Sequence, residues 1–385
     1  MRILFSFTGE AGHLEPLVPI ARAARAAGHA VAFASHPGLV DAVRARGLAA
    51  YATGPAATPG PPQRKPLLEV SMEREYQVLR DVFGRRLAHE QADGVLALCA
   101  SWRPDVIVRD EVDFGAAVAA ERLGLPHASV LVLAAGSFVR PSVVAEPLDA
   151  LRAAHGLAPD PELAALSRHL VLSPFPPSFR DPAFPLPATA QSLRPGGLAA
   201  SADRASAHDR ATVYVTLGTV FPLESGDLFS RLLAGLRELP VSAIVTVGEH
   251  IDPAELGAQP ARIRVERYVD QALVLPRCDA VVSHGGSGSV MGALAHGLPS
   301  VLLPMGADQP LNVQRCEVLG VARVLDALRA TPADVRDAVS TVLAEPGYRR
   351  AAARMRAEIE RLPGPGRAVE LLERLAAPGH ERVRR

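Results

Sequence analysis

The chain has 385 residues, 48% hydrophobic and 21% charged, which suits two domains with sizeable cores and excludes wholesale disorder. Acidic and basic residues balance at 41 each, so the positive excess that draws a protein onto nucleic acid or an anionic membrane is missing. The basic side is arginine apart from Lys65, which stands in a proline-rich stretch with no phosphate-loop motif around it; Schiff-base chemistry and a Walker-type phosphate site are excluded with it.

In chain order, the apolar run 3–7 reads as a buried strand, followed by a glycine-containing loop and a helix entered near Pro16. On that helix Leu17, Ile20, Ala21 and Ala24 share one face while Arg22 and Arg25 point away. Gly28 falls where a helix C′ residue belongs. Residues 31–34 give the next strand, completing a β-α-β unit whose parallel strands imply a sheet covered on both faces. The Pro/Gly stretch 54–66 predicts a mobile loop, and 67–100 a long charged amphipathic region. Strand 105–108, a small-residue helix 116–123 closed by Gly124, and strand 129–133 continue the alternation.

Between 173 and 210 closely spaced prolines and then a polar run break the pattern, which marks the linker. The opening pattern then recurs: strand 213–217, a Gly218-Thr219 loop, helix 227–239 and strand 243–247. The expected organisation is a first α/β domain over 1–195, a linker over 196–210 and a second α/β domain over 211–362. Residues 363–385 follow as a final helix set off by Pro363-Gly364-Pro365-Gly366. Two doubly wound domains put the natural ligand site in the cleft between them. Cys99, Cys278 and Cys316 are odd in number and form no CxxC, which predicts a reducing compartment without zinc site or disulfide framework. The start of the chain lacks a signal-type apolar core, and no apolar run reaches ~18 residues. A soluble cytoplasmic protein without membrane insertion is therefore expected.

The most informative stretch is the strand 280–283 running into His284-Gly285-Gly286-Ser287-Gly288-Ser289, with a helix expected over 290–296. Glycines between a strand end and a helix start let a ligand approach exposed N–H groups, and the helix N-terminus favours an anion. Ser287, Ser289 and His284 add hydrogen-bond donors. Gly286 and Gly288 match the first two glycines of a dinucleotide fingerprint and the third is missing, which disfavours an NAD-dependent oxidoreductase. A tight turn without ligand is the plainer alternative.

Together with Arg267-Tyr268-Val269-Asp270-Gln271 and Gly306-Ala307-Asp308-Gln309-Pro310-Leu311-Asn312, this loop resembles the donor-binding signature of family 1 glycosyltransferases. The branch most similar is the actinobacterial one that decorates antibiotics and other secondary metabolites. Gly12-His13-Leu14-Glu15-Pro16, with Gly28-His29, resembles the family's acceptor-domain opening, and the similarity runs in order along nearly the whole chain. It implies the GT-B fold, two Rossmann-like doubly wound parallel-sheet domains facing across a cleft, with 363–385 crossing back onto the first. It implies a nucleotide-diphosphate sugar as co-substrate and a small hydrophobic aglycone as acceptor. By the same resemblance Tyr268 stacks on the base and the Val269 backbone reads its edge. Gln271 lies near base or ribose and Thr219 near the phosphates. His284, Gly286, Ser287, Gly288 and Ser289 hold the diphosphate, and Asp308 and Gln309 bond sugar hydroxyls. Plant members carry Trp in place of Tyr268 and a ribose-binding Glu in place of Gly292, so a deoxyribose donor, a dTDP-sugar, fits better than a UDP-sugar.

His13 falls at the carboxyl edge of the first sheet, where α/β proteins bind ligands, and its reference pKa of ~6.5 suits a general base worth roughly 10²–10⁴ in rate. Asp110 lies at the matching edge, where the resemblance places an acid paired with the histidine; Glu111 and Asp113 are close rivals, and a solvated acidic loop is the plainer alternative. No two aspartates sit two apart, so the Asp-x-Asp metal motif of the other large glycosyltransferase fold is missing. The expectation is an inverting reaction with no metal and no other cofactor. The loop 54–66 with Met72, Phe83 and Phe138 would line an apolar acceptor pocket, or else be ordinary core. The competing functions are a nucleotide-sugar 2-epimerase of the same fold, which would turn over donor alone, and a catalytically silent helper protein. Sugar, aglycone, linkage, oligomeric state (a homodimer included) and any need for an activator stay open.

Overall fold

The computed structural model describes residues 1–54, 63–196 and 210–377. These divide into two units, one of residues 1–54, 73–196 and 362–377, the other of 63–72 and 210–361. The loop read at 54–66 and the linker read at 196–210 fall mostly on 55–62 and 197–209, outside the described residues. No helix among the described residues is long and apolar enough to cross a membrane.

In the first unit, the described residues form seven strands: β1 (Arg2–Ser6), β2 (Ala30–Ser35), β3 (Ala49–Ala52), β4 (Val106–Asp110), β5 (His127–Val130), β6 (Leu170–Ser173) and β7 (Ala190–Ser192). Their order is β3-β2-β1-β4-β5-β6-β7 and every pairing is parallel. The second unit repeats the plan with β8 (Thr212–Thr216), β9 (Ser242–Thr246), β10 (Ile263–Glu266), β11 (Ala280–Ser283), β12 (Ser300–Leu302) and β13 (Ala322–Val324), in the order β10-β9-β8-β11-β12-β13. Ile3, Leu4, Phe5, Val106, Ile107 and Val108 are all fully buried, as central strands covered on both faces require.

One helical layer of the first sheet joins distant parts of the chain. Leu17, Ile20, Ala21 and Ala24, the face read from spacing, share a core with Ala368, Val369, Leu372 and Leu375 of the helix Pro365–Ala376. The Arg194 N–H donates to the Pro363 carbonyl at 2.8 Å. His29, singled out with Gly28 in the sequence, stands 3.4 Å from the Met1 amino group and 2.9 Å from Glu373, so its role is structural. Residues 63–72, which lie within the stretch read as N-terminal, pack with the second unit instead. There the Lys65 N–H donates to Leu223 O, and its ammonium pairs with Glu224 at 2.8 Å.

Several elements differ from their reading: the strand read at 129–133 is His127–Val130, the helix read at 116–123 starts at Phe114, and β7 lies within the stretch 173–210 read as the linker. The amphipathic region 67–100 is a helix Met72–Val78 continued by a π-helical stretch Leu79–Leu87 and the helix Ala88–Trp102. The helix after β11 starts at Ser287, three residues earlier than expected. Gly and Ser have poor helix propensity, about 0.5–1 kcal/mol per residue below Ala, and packing of the buried Val290, Met291 and Leu294 overrides it.

The helix Phe114–Leu123 lies against Ala88–Trp102 so closely that a Cβ on Gly115 would sit 2.3 Å from Ala88 O and 2.7 Å from Ala92 N. Backbone atoms cannot step aside as side chains do. Gly115→Ala is expected to destabilise the protein by about 1–3 kcal/mol through overpacking, read as a lower denaturation midpoint; an unchanged midpoint would show that this contact is looser than described.

Candidate active site

In each sheet the strand order reverses its direction of growth between two central strands, β1 and β4 in the first, β8 and β11 in the second. Their carboxyl ends flank the crevice where ligands of open α/β sheets bind. In the first unit that edge carries His13, on the single helical turn Ala11–Leu14 after β1. Gly9, at φ +91°, gives it room: a Cβ there would stand 2.9 Å from the imidazole. His13 Nδ1 is 3.5 Å from Asp110 Oδ2, and the Phe83 ring stacks on the imidazole at 5.9 Å and 20°.

Asp110 ends β4 and is fully buried. Its Oδ2 accepts from the Thr8 N–H at 2.8 Å, and its Oδ1 from the N–H groups of Val112 (2.6 Å) and Asp113 (2.9 Å). The two rival acids face elsewhere. Glu111 Oε2 accepts from the N–H groups of Val132 and Leu133, and Asp113 caps the helix Phe114–Leu123 through Ala116. Burial pushes both carboxyls up, Asp113 to about 6 with the Asp110 charge as a second cause. Sequence reading missed Arg109, which is fully buried beneath them and donates to the carbonyls of Asp110, Glu111 and Leu166. Nothing in the alternation of the strand distinguishes it; only the three neighbouring acids hint at a cation.

Of the three residues read as acceptor contacts, Phe83 joins His13. Phe138 is buried and meets Tyr76 at 5.5 Å, with the Arg140 guanidinium 4.4 Å over the Tyr76 ring. Met72 groups with the second unit. Tyr76 and Arg140 were not foreseen, since neither sits in a motif.

In the second unit the turn after β8 carries Gly218 (φ +78°) and the exposed Thr219. His284 follows β11 and is held between two glycines: a Cβ on Gly218 would lie 2.7 Å from its ring, and one on Gly286 2.4 Å from Nε2. Phe221 faces the ring at 6.0 Å. Burial lowers the His284 pKa to about 4, partly opposed by the Thr216 backbone, so the imidazole is neutral near pH 7 and offers a donor and an acceptor. Gly286 precedes the helix Ser287–Ala295 and brings no capping side chain, so the first turn, with Ser287, Gly288 and Ser289, presents its N–H groups and the positive end of the helix dipole.

The neighbouring loop is tied to that turn. Asp308 Oδ2 accepts from Ser287 Oγ and from Asn312 Nδ2, both at 2.8 Å, and Asn312 Nδ2 also donates to Gly285 O at 3.1 Å. Gln309 is buried, and its carbonyl accepts from the N–H groups of Met305 and Gly306. It thereby braces a loop in which Ala307 takes φ +52°, a conformation costly for a residue with a Cβ. Tyr268, 68% exposed, follows β10; Val269 packs against the Tyr214 cluster. The Tyr214 hydroxyl lies 3.1 Å from Thr246 Oγ1, and Gln271 Oε1 lies 3.4 Å from where a Cβ on Gly292 would stand.

A histidine whose folded pKa lies below its unfolded value stabilises the fold fully above about pH 6.5, and that contribution fades as pH falls toward 4. Replacing it by Asn is expected to reduce acid sensitivity: from pH 7 to pH 4.5 wild type should lose about 1–3 kcal/mol more than His284→Asn. Denaturant titrations at both pH values check this, and equal losses would refute a buried neutral imidazole.

The family descriptions "Erythromycin biosynthesis protein CIII-like, N-terminal domain" and "C-terminal domain" match residues 22–183 and 230–375. The chain is 30% identical to the TDP-daunosamine transferase of Streptomyces peucetius over 98% of its own length and 97% of that protein. It is also 30% identical to the tylactone mycaminosyltransferase of Streptomyces fradiae, covering 98% and 93%. The solved spinosyn rhamnosyltransferase complexed with thymidine diphosphate is similar with a TM-score of 0.78 at 26% identity, covering 97% of this chain and 100% of that one. The chain therefore belongs to the erythromycin biosynthesis protein CIII-like family of glycosyltransferases, enzymes of the GT-B fold built from two Rossmann-like domains.

Proposed function

We propose that this enzyme moves a sugar from a dTDP donor to a hydroxyl of a small hydrophobic natural product, with inversion, with no metal and with His13 as general base. The observation that carries the reading is the His13–Asp110 pair, 3.5 Å apart at the switch point of the first sheet, with Phe83 on the imidazole. With Nδ1–H directed at Asp110, Nε2 is the lone-pair nitrogen that takes the proton. The acceptor oxygen loses its proton to Nε2 and bonds to the anomeric carbon on the face opposite the nucleotide. The bond from that carbon to the diphosphate oxygen breaks, and its electron pair leaves with the diphosphate. Asp110 stabilises the imidazolium formed in this step.

The second unit supplies what a departing diphosphate needs. Donors at the start of Ser287–Ala295, the glycine-loop N–H groups and the neutral His284 favour developing negative charge without reorganising. In this reading the exposed Tyr268 stacks on the base and Asp308, bonded to Ser287, takes the sugar hydroxyls. The preference for dTDP draws on Gly292, and on two relatives, one named for a TDP-sugar and one solved with thymidine diphosphate.

Calorimetric titration with dTDP, UDP and NAD in EDTA tests the donor half. Tight binding of dTDP that is lost in His284→Ala is expected; tighter UDP binding would redirect the nucleotide alone, and no binding of either diphosphate would remove the donor reading. His13→Ala is expected to lower kcat by roughly 10²–10⁴ with nucleotide affinity unchanged. Retained turnover in that variant would exclude the histidine as base, and sugar-nucleotide turnover without acceptor would favour the epimerase.

A further inference from the structure

Asp113 is a buried carboxylate that the reaction above does not use, and burying an anion costs several kcal/mol unless its partners compensate. Its partners are specific. Asp113 Oδ2 accepts from Ser6 Oγ at 2.5 Å and from Gln91 Nε2 at 3.4 Å, while Oδ1 accepts from the Ala116 N–H. Gln91 Nε2 also donates to Ser6 Oγ at 2.8 Å, and Gln91 Oε1 accepts from Thr53 Oγ1 at 2.6 Å. Ser6 and Asp113 are fully buried, and Thr53 and Gln91 nearly so. The cluster joins the end of β1, the residue after β3, the helix Ala88–Trp102 and the turn after β4.

The packing shows how tightly this cluster is closed. A Cβ on Gly94 would stand 2.7 Å from the Thr53 Cβ, and one on Gly115 2.9 Å from the Gln91 Cβ. A helix cap alone needs only one carboxylate oxygen and tolerates a solvated site, typically contributing about 1 kcal/mol. Here the second oxygen is fixed as well, by Ser6, two residues before Thr8 and on the strand that leads to His13. The Asp113 main-chain N–H is one of the donors to Asp110 Oδ1, beside that of Val112. The same helical run carries Phe83, stacked on His13, and Gln91, bonded to Ser6.

We infer that Asp113 is a positioning residue: tied to Ser6 and Gln91, it fixes the 110–113 turn so that Asp110 presents Oδ2 to His13 Nδ1, which sets the tautomer of the base. The inference rests on the reading of His13 and Asp110 as base and partner. Removing the side chain frees the turn and lets the Asp110 carboxylate rotate away from the ring; asparagine, of the same shape, keeps an oxygen for Ala116 and a polar group for Ser6.

Nitrogen-15 NMR of histidine-labelled full-length protein near pH 8, where imidazoles are neutral, reads the tautomer without any substrate. Wild type is expected to show His13 fixed with its proton on Nδ1. Asp113→Ala should lose that fixed tautomer, Asp113→Asn should keep it, and Ser6→Ala should shift it partway. Thermal unfolding of each variant identifies any that fails to fold, in which case Ser6→Ala and Asp113→Asn carry the comparison. A folded Asp113→Ala or Ser6→Ala with the wild-type His13 tautomer would overturn the inference. A wild-type His13 that lacks the Nδ1–H form would instead overturn the reading of the base on which the inference stands.

Discussion

An all-parallel sheet cannot close its loops in one direction only. Once growth reverses at β1 and β4, the connections that leave the two strands turn to opposite faces, and their carboxyl ends stay uncovered by either. Polar and glycine-rich loops are tolerated there because they need not be buried under a helix, while the strands beneath them are buried and rigid. The protein uses this place twice. In the first sheet the loop after β1 and the end of β4 bring His13 to Asp110, although 97 residues separate them in sequence: the β1–β4 register aligns the two strand ends and the helical turn Ala11–Leu14 carries the imidazole. In the second the turn after β8 and the loop after β11 bring Gly218 against His284.

The two units differ in the electrostatics of these edges. Beside His13 the buried Asp110 carboxylate accepts three main-chain N–H groups, and the buried Arg109 lies among the acids Asp110, Glu111 and Asp113, whose charges favour its own. The loop after β11 instead offers donors that carry no counter-charge: the glycine turn, the helix N-terminus and a neutral His284. Asp308, the acid nearest that loop, is tied by Ser287 and Asn312, which spreads its charge over two hydrogen bonds. Glycines matter at both edges for the same reason: Gly9 and Gly218 take positive φ and leave the space that the two imidazoles fill.

Much of the fold was legible in the chain. The strand-helix alternation and the apolar face of Val18–Ala26 follow from local periodicity, which does not depend on distant residues. The His284 loop was legible because its glycines and serines form one contiguous stretch between a strand and a helix. The start of its helix was misplaced, because propensity describes an isolated segment and here buried contacts outweigh it. The attachment of 63–72 to the second unit and the structural role of His29 were not legible, since each depends on a partner far along the chain.

Residue types and local spacing by themselves determined the class of fold, two parallel α/β units, and nominated a histidine and an anion loop at their carboxyl edges. Tertiary structure alone decided which of three neighbouring acids faces His13, that Arg109 lies beneath them, that Phe83 rather than Phe138 stacks on the imidazole, and that Gln309 braces its loop. The physical reason is common to all four. Hydrogen bonds and ring contacts depend on direction and on distances of a few tenths of an ångström, and only strand register and helix packing fix those between residues remote in sequence.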